Sequence, residues 1–150
     1  MCEQDWEENG NHCYFWSTES KSWDEAEQFC KEEGGHLASV TSNATDDYIE
    51  AKLKERDHNL WIGGSDRASE GDWKWTDGSS WKFTNWGKLN GIQQPGHSTG
   101  QNCLAYFIEN RKWNDWVCFK ETRFLCSKKL CSGKHFKSIQ VCVAINWCQS

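Results

Sequence analysis

Glu70-Gly71-Asp72-Trp73-Lys74-Trp75-Thr76-Asp77-Gly78 follows Trp61-Ile62-Gly63-Gly64 and leads on to Asn85-Trp86, Gln94-Pro95-Gly96 and Trp113-Asn114-Asp115, with Cys118 closing the run. Each short motif is weak alone, and the information lies in their order and spacing. The tryptophans carry large rings that gain most from burial, with one N–H that needs a partner. Trp61, Trp73, Trp75, Trp86 and Trp113 are therefore read as core and loop anchors rather than a ligand platform. Between Asp77 and Asn102 the chain is rich in Gly, Ser, Thr and Asn and has no sustained periodicity. So long a loop in a compact domain signals either function or a misread element.

Upstream, Ser22-Trp23-Asp24-Glu25 has the Ser-x-x-Glu spacing of a capping box. Trp23, Ala26, Phe29 and Cys30 then recur at helical spacing until Gly34-Gly35, which predicts an amphipathic helix. A second helix is predicted after Asn43-Ala44-Thr45, with Tyr48, Ile49 and Leu53 on one face and Lys52, Lys54, Glu55 and Arg56 turned outward. Short β-like runs surround them at Cys13–Trp16, His36–Val40, Leu60–Gly63, Cys103–Phe107 and Phe124–Cys126. Helices come early and strands mostly late, which is the α+β pattern.

The 150 residues with 37% hydrophobic content suit one domain. Nine cysteines without paired Cys-x-x-Cys knuckles point to disulfides and an oxidising, extracellular compartment rather than to zinc. No apolar run approaches the roughly 18 residues of a membrane span. Met1-Cys2-Glu3-Gln4-Asp5 is too acidic to start a signal peptide, so the sequence is expected to be a mature, secreted form. The formal net charge of −5 argues against nucleic acid, which demands clustered Lys and Arg. That charge is uneven: Lys128, Lys129, Lys134 and Lys137 give the tail +4 with no acid, leaving −9 on residues 1–126. Neither a Gly-x-Ser-x-Gly elbow nor a His-Glu-x-x-His pair occurs and the histidines are scattered, so no enzyme is expected.

In this order, the Trp61, Glu70, Asn85, Gln94 and Trp113 motifs resemble the C-type lectin-like domain in its long form, over residues 2–127. The resemblance implies two helices, two small antiparallel sheets and a long loop region that carries the binding site. It also implies disulfides Cys2–Cys13, Cys30–Cys126 and Cys103–Cys118. Residues 128–150 then form a basic extension.

The resemblance further implies a sugar-binding calcium site. Gln94, Asn114 and Asp115 match its ligand positions, and Pro95 would be the cis proline that aims neighbouring carbonyls. Gly96 stands where the family usually has Asn or Asp, and Gln101 where it usually has Glu. With Asp115 as the remaining formal charge, calcium is expected to bind weakly, near millimolar or worse on the scale of protein calcium sites. His97 is a poor partner for a hard ion. At the accessory calcium site Asp66 and Glu70 match, whereas His97 and Asn102 occupy places where acids are common; ordinary solvated charge is the other reading of Asp66 and Glu70. A Gln-Pro start to the loop motif implies galactose-type ligands on glycoconjugates. The rival reading is a calcium-independent module of the same fold that binds a protein, or a mineral or ice surface.

Two features fall outside the resemblance. Asn43-Ala44-Thr45 is an N-glycosylation sequon, or alternatively a helix cap. Cys131, Cys142 and Cys148 are odd in number, so one of them would join a second chain as a disulfide-linked dimer, or the tail is a disordered extension with a free thiol.

Overall fold

The computed structural model describes residues 1–130 apart from His97. The expected capping box starts the first helix, α1 (Trp23–Glu32). The Glu25 N–H donates to Ser22 Oγ at 3.3 Å while Glu25 Oε2 accepts from the Ser22 N–H at 3.1 Å, so two otherwise orphaned donors are satisfied reciprocally. Trp23, Ala26, Glu27 and Cys30 are its buried residues. The second helix, α2 (Asn43–Leu53), buries Asp46, Ile49 and Leu53. Its cap is Ser42, whose Oγ accepts from the Thr45 N–H at 3.3 Å, so Asn43 is the first helical residue rather than the cap.

A hairpin of β1 (Glu7–Asn9) and β2 (His12–Trp16) pairs with the last strand, β10 (Arg123–Lys129), which also holds β3 (His36–Leu37). On the other side β4 (Leu60–Ser65) carries β5 (Lys74–Trp75) and runs antiparallel to β8 (Cys103–Phe107), which pairs with β9 (Lys112–Trp116). The two small sheets expected from the resemblance are thus joined through β10. That join is parallel, with Arg123 opposite Leu60 and Phe124 opposite Trp61. The second β-like run, His36–Val40, is shorter than its sequence suggested, stopping at Leu37, because Ala38 turns its N–H to Leu125 O and its carbonyl to the Gly63 N–H.

The three disulfides pair Cys2 with Cys13, Cys30 with Cys126 and Cys103 with Cys118. Trp61, Trp73, Trp75 and Trp113 are buried and Trp86 packs partly buried against Trp73 and Trp113, which is the anchoring task the sequence assigned to them. Lys128 belongs to the folded body: its ammonium lies 4.1 Å from the Trp6 ring centroid and 3.1 Å from a Glu3 carboxylate oxygen. Cys131, Cys142 and Cys148 lie outside the described residues. Among those described, no helix is long and apolar enough to cross a membrane.

Candidate functional site

The unpatterned stretch after Asp77 contains a two-stranded hairpin, β6 (Lys88–Leu89) and β7 (Ile92–Gln93). Asn90 and Gly91 make its turn with φ of 51° and 79°, the pair of positive values that a type I′ turn demands and that Asn-Gly supplies. The Asn-Gly signal was present in the sequence but lacked flanking alternation to reveal it.

Gly87, just before this hairpin, ties the loop to β9. Its N–H donates to Trp113 O at 2.8 Å and its carbonyl accepts from the Gln94 N–H at 2.9 Å. A Cβ on Gly87 would lie 2.7 Å from Lys112 Cβ and from Asn110 Nδ2, so the close approach of the two backbones requires glycine. No sequence motif singled this residue out. Through it the segment before the cis Gln94–Pro95 bond and the strand bearing Asn114 and Asp115 share one anchor.

Three of the expected site residues converge beside Gly96. The position where any other residue would carry its Cβ lies 3.5 Å from Gln94 Oε1 and 3.6 Å from both Asp115 Oδ2 and Gln101 Oε1. The Gly96 N–H donates to Asp115 Oδ1 at 2.9 Å. Asn114 is wholly buried; its Nδ2 donates to Lys112 O at 3.2 Å, and its Oδ1 has no hydrogen-bond partner. An unpaired buried oxygen is costly unless something meets it. Burial holds the Asp115 carboxyl above the usual aspartate range; the Gly96 N–H pulls it down, and the nearby Asp66 and Glu70 charges push it further up.

Those two acids form a second group. Asp66 is 2% exposed, so it is not the solvated charge that one reading of the sequence allowed, whereas Glu70 is exposed. Asp66 Oδ2 accepts from the Gly71 N–H at 2.9 Å. With its amide turned to donate, Asn102 reaches Asp66 Oδ1 at 3.1 Å and Glu70 Oε2 at 3.2 Å. The Asn102 amide therefore lies where a cation would otherwise bridge the two carboxylates. His97, considered for both groups, lies outside the described residues.

Calcium takes six to eight oxygens, and carboxylates supply most of its binding energy. The group beside Gly96 offers all-oxygen donors of the right kind, two amide oxygens and one carboxylate, and the residue before Asp115 carries the unpaired Asn114 Oδ1. It fits calcium in chemistry and falls short in charge. Among the described residues no cluster of three or more His, Cys, Asp or Glu side chains is arranged to hold a metal.

The profile of the Lectin C-type domain matches residues 19–128. The chain belongs to the C-type lectin domain family. This lectin domain is 36% identical over 128 residues to human C-type lectin domain family 17, member A, covering 85% of this chain and 32% of the relative's length. It is also 32% identical over 132 residues to the galactose-specific lectin nattectin of Thalassophryne nattereri, covering 86% of this chain and 81% of that protein. Against mouse asialoglycoprotein receptor 2 the chain spans 42% of the relative's length, so it corresponds to less than half of the first relatives it matches.

Among solved structures, the mouse scavenger receptor C-type lectin carbohydrate-recognition domain superposes with a TM-score of 0.77 at 30% identity, covering 87% of this chain and 98% of the other. A calcium-independent type II antifreeze protein gives 0.76 at 28% identity, covering 86% and 95%. The lectin fold of this domain is thus shared by proteins described in very different terms.

Proposed function

We propose that this domain is a secreted lectin module that binds galactose-type sugars on glycoconjugates with weak calcium dependence, through Gln94, Gln101, Asn114 and Asp115. The observation that carries this reading is the convergence of three side-chain oxygens on the point where a Cβ at position 96 would lie. Bound there, calcium would offer coordination positions to two sugar hydroxyls. The protein's own part is to hold that geometry and to donate hydrogen bonds. Gln94 Nε2 donates one hydrogen to Ile92 O and Asn114 Nδ2 one to Lys112 O, and each amide nitrogen has a second hydrogen for a hydroxyl. The galactose-specific description of nattectin supports the sugar class. The three disulfides support an oxidising, extracellular setting.

Asp66 and Glu70 form a weak accessory calcium site on this reading, with Asn102 taking part of the ion's place. The module binds rather than catalyses: amides are neither nucleophiles nor bases, and Asp115 is engaged by Gly96. Asn43, exposed at the first turn of α2, is the proposed glycan attachment point, checked by mass spectrometry of protein from a eukaryotic host. The expected boundary between residues 2–127 and 128–150 falls inside β10, so on this reading the module runs to the end of that strand, the basic extension follows it, and a disulfide-linked dimer through that extension is checked on a non-reducing gel.

A second reading has its own support. The site beside Gly96 holds one carboxylate, with one of its oxygens already taken by a backbone N–H, and a calcium-independent antifreeze protein shares the fold. A glycan array run with calcium and again with chelator decides between them. Chelator-sensitive galactose binding supports the lectin reading, and its absence favours calcium-independent binding of a protein or an ice or mineral surface.

A further inference from the structure

We infer that Asp46, a buried acid on α2, is a positioning residue for the ligand loop. The inference deepens the proposed function and rests on Gln94 and Asn114 being ligand contacts. Asp46 is 6% exposed, and a buried carboxylate is tolerated when its oxygens are hydrogen-bonded. Its two oxygens serve different elements. Oδ1 accepts from the Tyr106 hydroxyl on β8 at 2.6 Å, and Oδ2 accepts from Asn85 Nδ2 at 2.7 Å, across 39 residues of sequence to the base of the loop.

Asn85 continues the connection into the site. Its carbonyl accepts from the Trp113 N–H at 2.9 Å, Trp113 O accepts from the Gly87 N–H, and Gly87 O accepts from the Gln94 N–H. One turn further along α2, Glu50 Oε1 accepts from Lys112 Nζ at 2.8 Å and lies 3.3 Å from Asn85 Nδ2. The Lys112 carbonyl in turn accepts from Asn114 Nδ2. The helix therefore grips both arms of the site: the loop through Asn85 and β9 through Lys112. A carboxylate suits position 46 because both incoming groups are donors; burial keeps the Tyr106 hydroxyl protonated. An amide in its place offers one acceptor and turns an N–H toward one of those donors.

Amide hydrogen exchange on the whole chain tests this without any ligand. In Asp46→Asn, exchange of the Gly87 and Gln94 N–H groups should accelerate by about tenfold, with the β2 and β10 amides unchanged. The exchanged pair Asp46→Asn/Asn85→Asp restores a donor facing an acceptor and should return the loop amides toward the wild-type rate. Asn85→Ala, which deletes the loop half of the contact, carries the same readout should Asp46→Asn fail to fold. Loop amides that stay at the wild-type rate, or that accelerate together with β2 and β10, overturn the inference. Calcium titration of the wild type tests the proposed function separately, because amide exchange reads the rare opening of the loop while affinity follows the fraction of molecules that are competent to bind. Absence of any calcium heat in the wild type counts against the proposed function, while the exchange pattern still decides whether Asp46 holds the loop.

Discussion

Gly96 donates its backbone N–H to Asp115 Oδ1, and Asp115 Oδ2 faces the space where a side chain at position 96 would begin. Loop and strand are fastened by the first oxygen, and the second is left for a ligand. The geometry also shows how the site's charge can be restored. Gly96 does not sit at positive φ, and its absent Cβ would meet three oxygens at ordinary van der Waals distance, so a side chain can begin there without a clash. Gly96→Asp should raise calcium affinity about tenfold or more, because ligand charge tunes such sites. It should also cost stability in chelator, where the new carboxylate faces Asp115 unscreened. Isothermal titration checks the first effect and thermal unfolding in chelator the second.

Asp115→Asn should separate ligand binding from folding. The carboxylate is disfavoured by burial, and an amide oxygen still accepts from the Gly96 N–H, so Tm without calcium should move by no more than about 3 °C. At ten times a millimolar dissociation constant, linkage stabilises the wild type by about 1.4 kcal/mol, or roughly 4 °C, and the variant should gain nothing. Differential scanning calorimetry with calcium and with chelator checks both.

Calcium binding should also fail on acidification. Protons compete with the ion for the carboxylate, and burial places the Asp115 titration higher than that of a free aspartate. Affinity measured down a pH series should therefore decline before an ordinary carboxylate protonates. Asp115→Asn should abolish the binding at every pH.

Sequence patterning disclosed the helices, the loop region and the anchoring tryptophans, because each has a local signature: a capping box at Ser22 and Glu25, or aromatic residues at fixed separations. What it hid is tertiary. Asp46 reads as one more polar residue in an acidic first turn, and its burial follows from Tyr106, 60 residues away. Asn102 looked like a lost calcium ligand, and with its amide turned to donate it reaches both Asp66 and Glu70. Lys112–Trp116 was legible as a motif and not as a strand, since its Lys-Trp-Asn-Asp-Trp run lacks β-branched residues and pairs in register with Cys103–Phe107.

His36 and Glu27 give a separate pH signature. The hydrogen bond that protonated His36 Nδ1 donates to Glu27 Oε1, at 3.1 Å, raises the His36 pKa despite partial burial. A raised pKa means the contribution is full below the unfolded histidine value near 6.5 and is lost as pH rises through the folded value. His36 is 38% exposed, so solvent screening limits the effect to about 0.5 kcal/mol. Unfolding free energies from urea titrations at pH 5.5 and pH 8.5 should differ in the wild type by about that much more than in His36→Gln.

Removing the Cys30–Cys126 bridge should be far more damaging, since it closes a span of 96 residues. On the chain-entropy model its loss costs about 4 to 5 kcal/mol, against about 3 for the 15-residue span of Cys103–Cys118. Denaturant unfolding of Cys30→Ala/Cys126→Ala and Cys103→Ala/Cys118→Ala measures the order.

The central claim is that oxygens gathered beside Gly96 hold an ion and a sugar together. Retention of the folded chain on immobilised galactose, in calcium and then in chelator, tests it most directly. Retardation in millimolar calcium, release by chelator, and no retardation of Asp115→Asn are the expected results. Equal elution of wild type and variant in calcium and in chelator would contradict it.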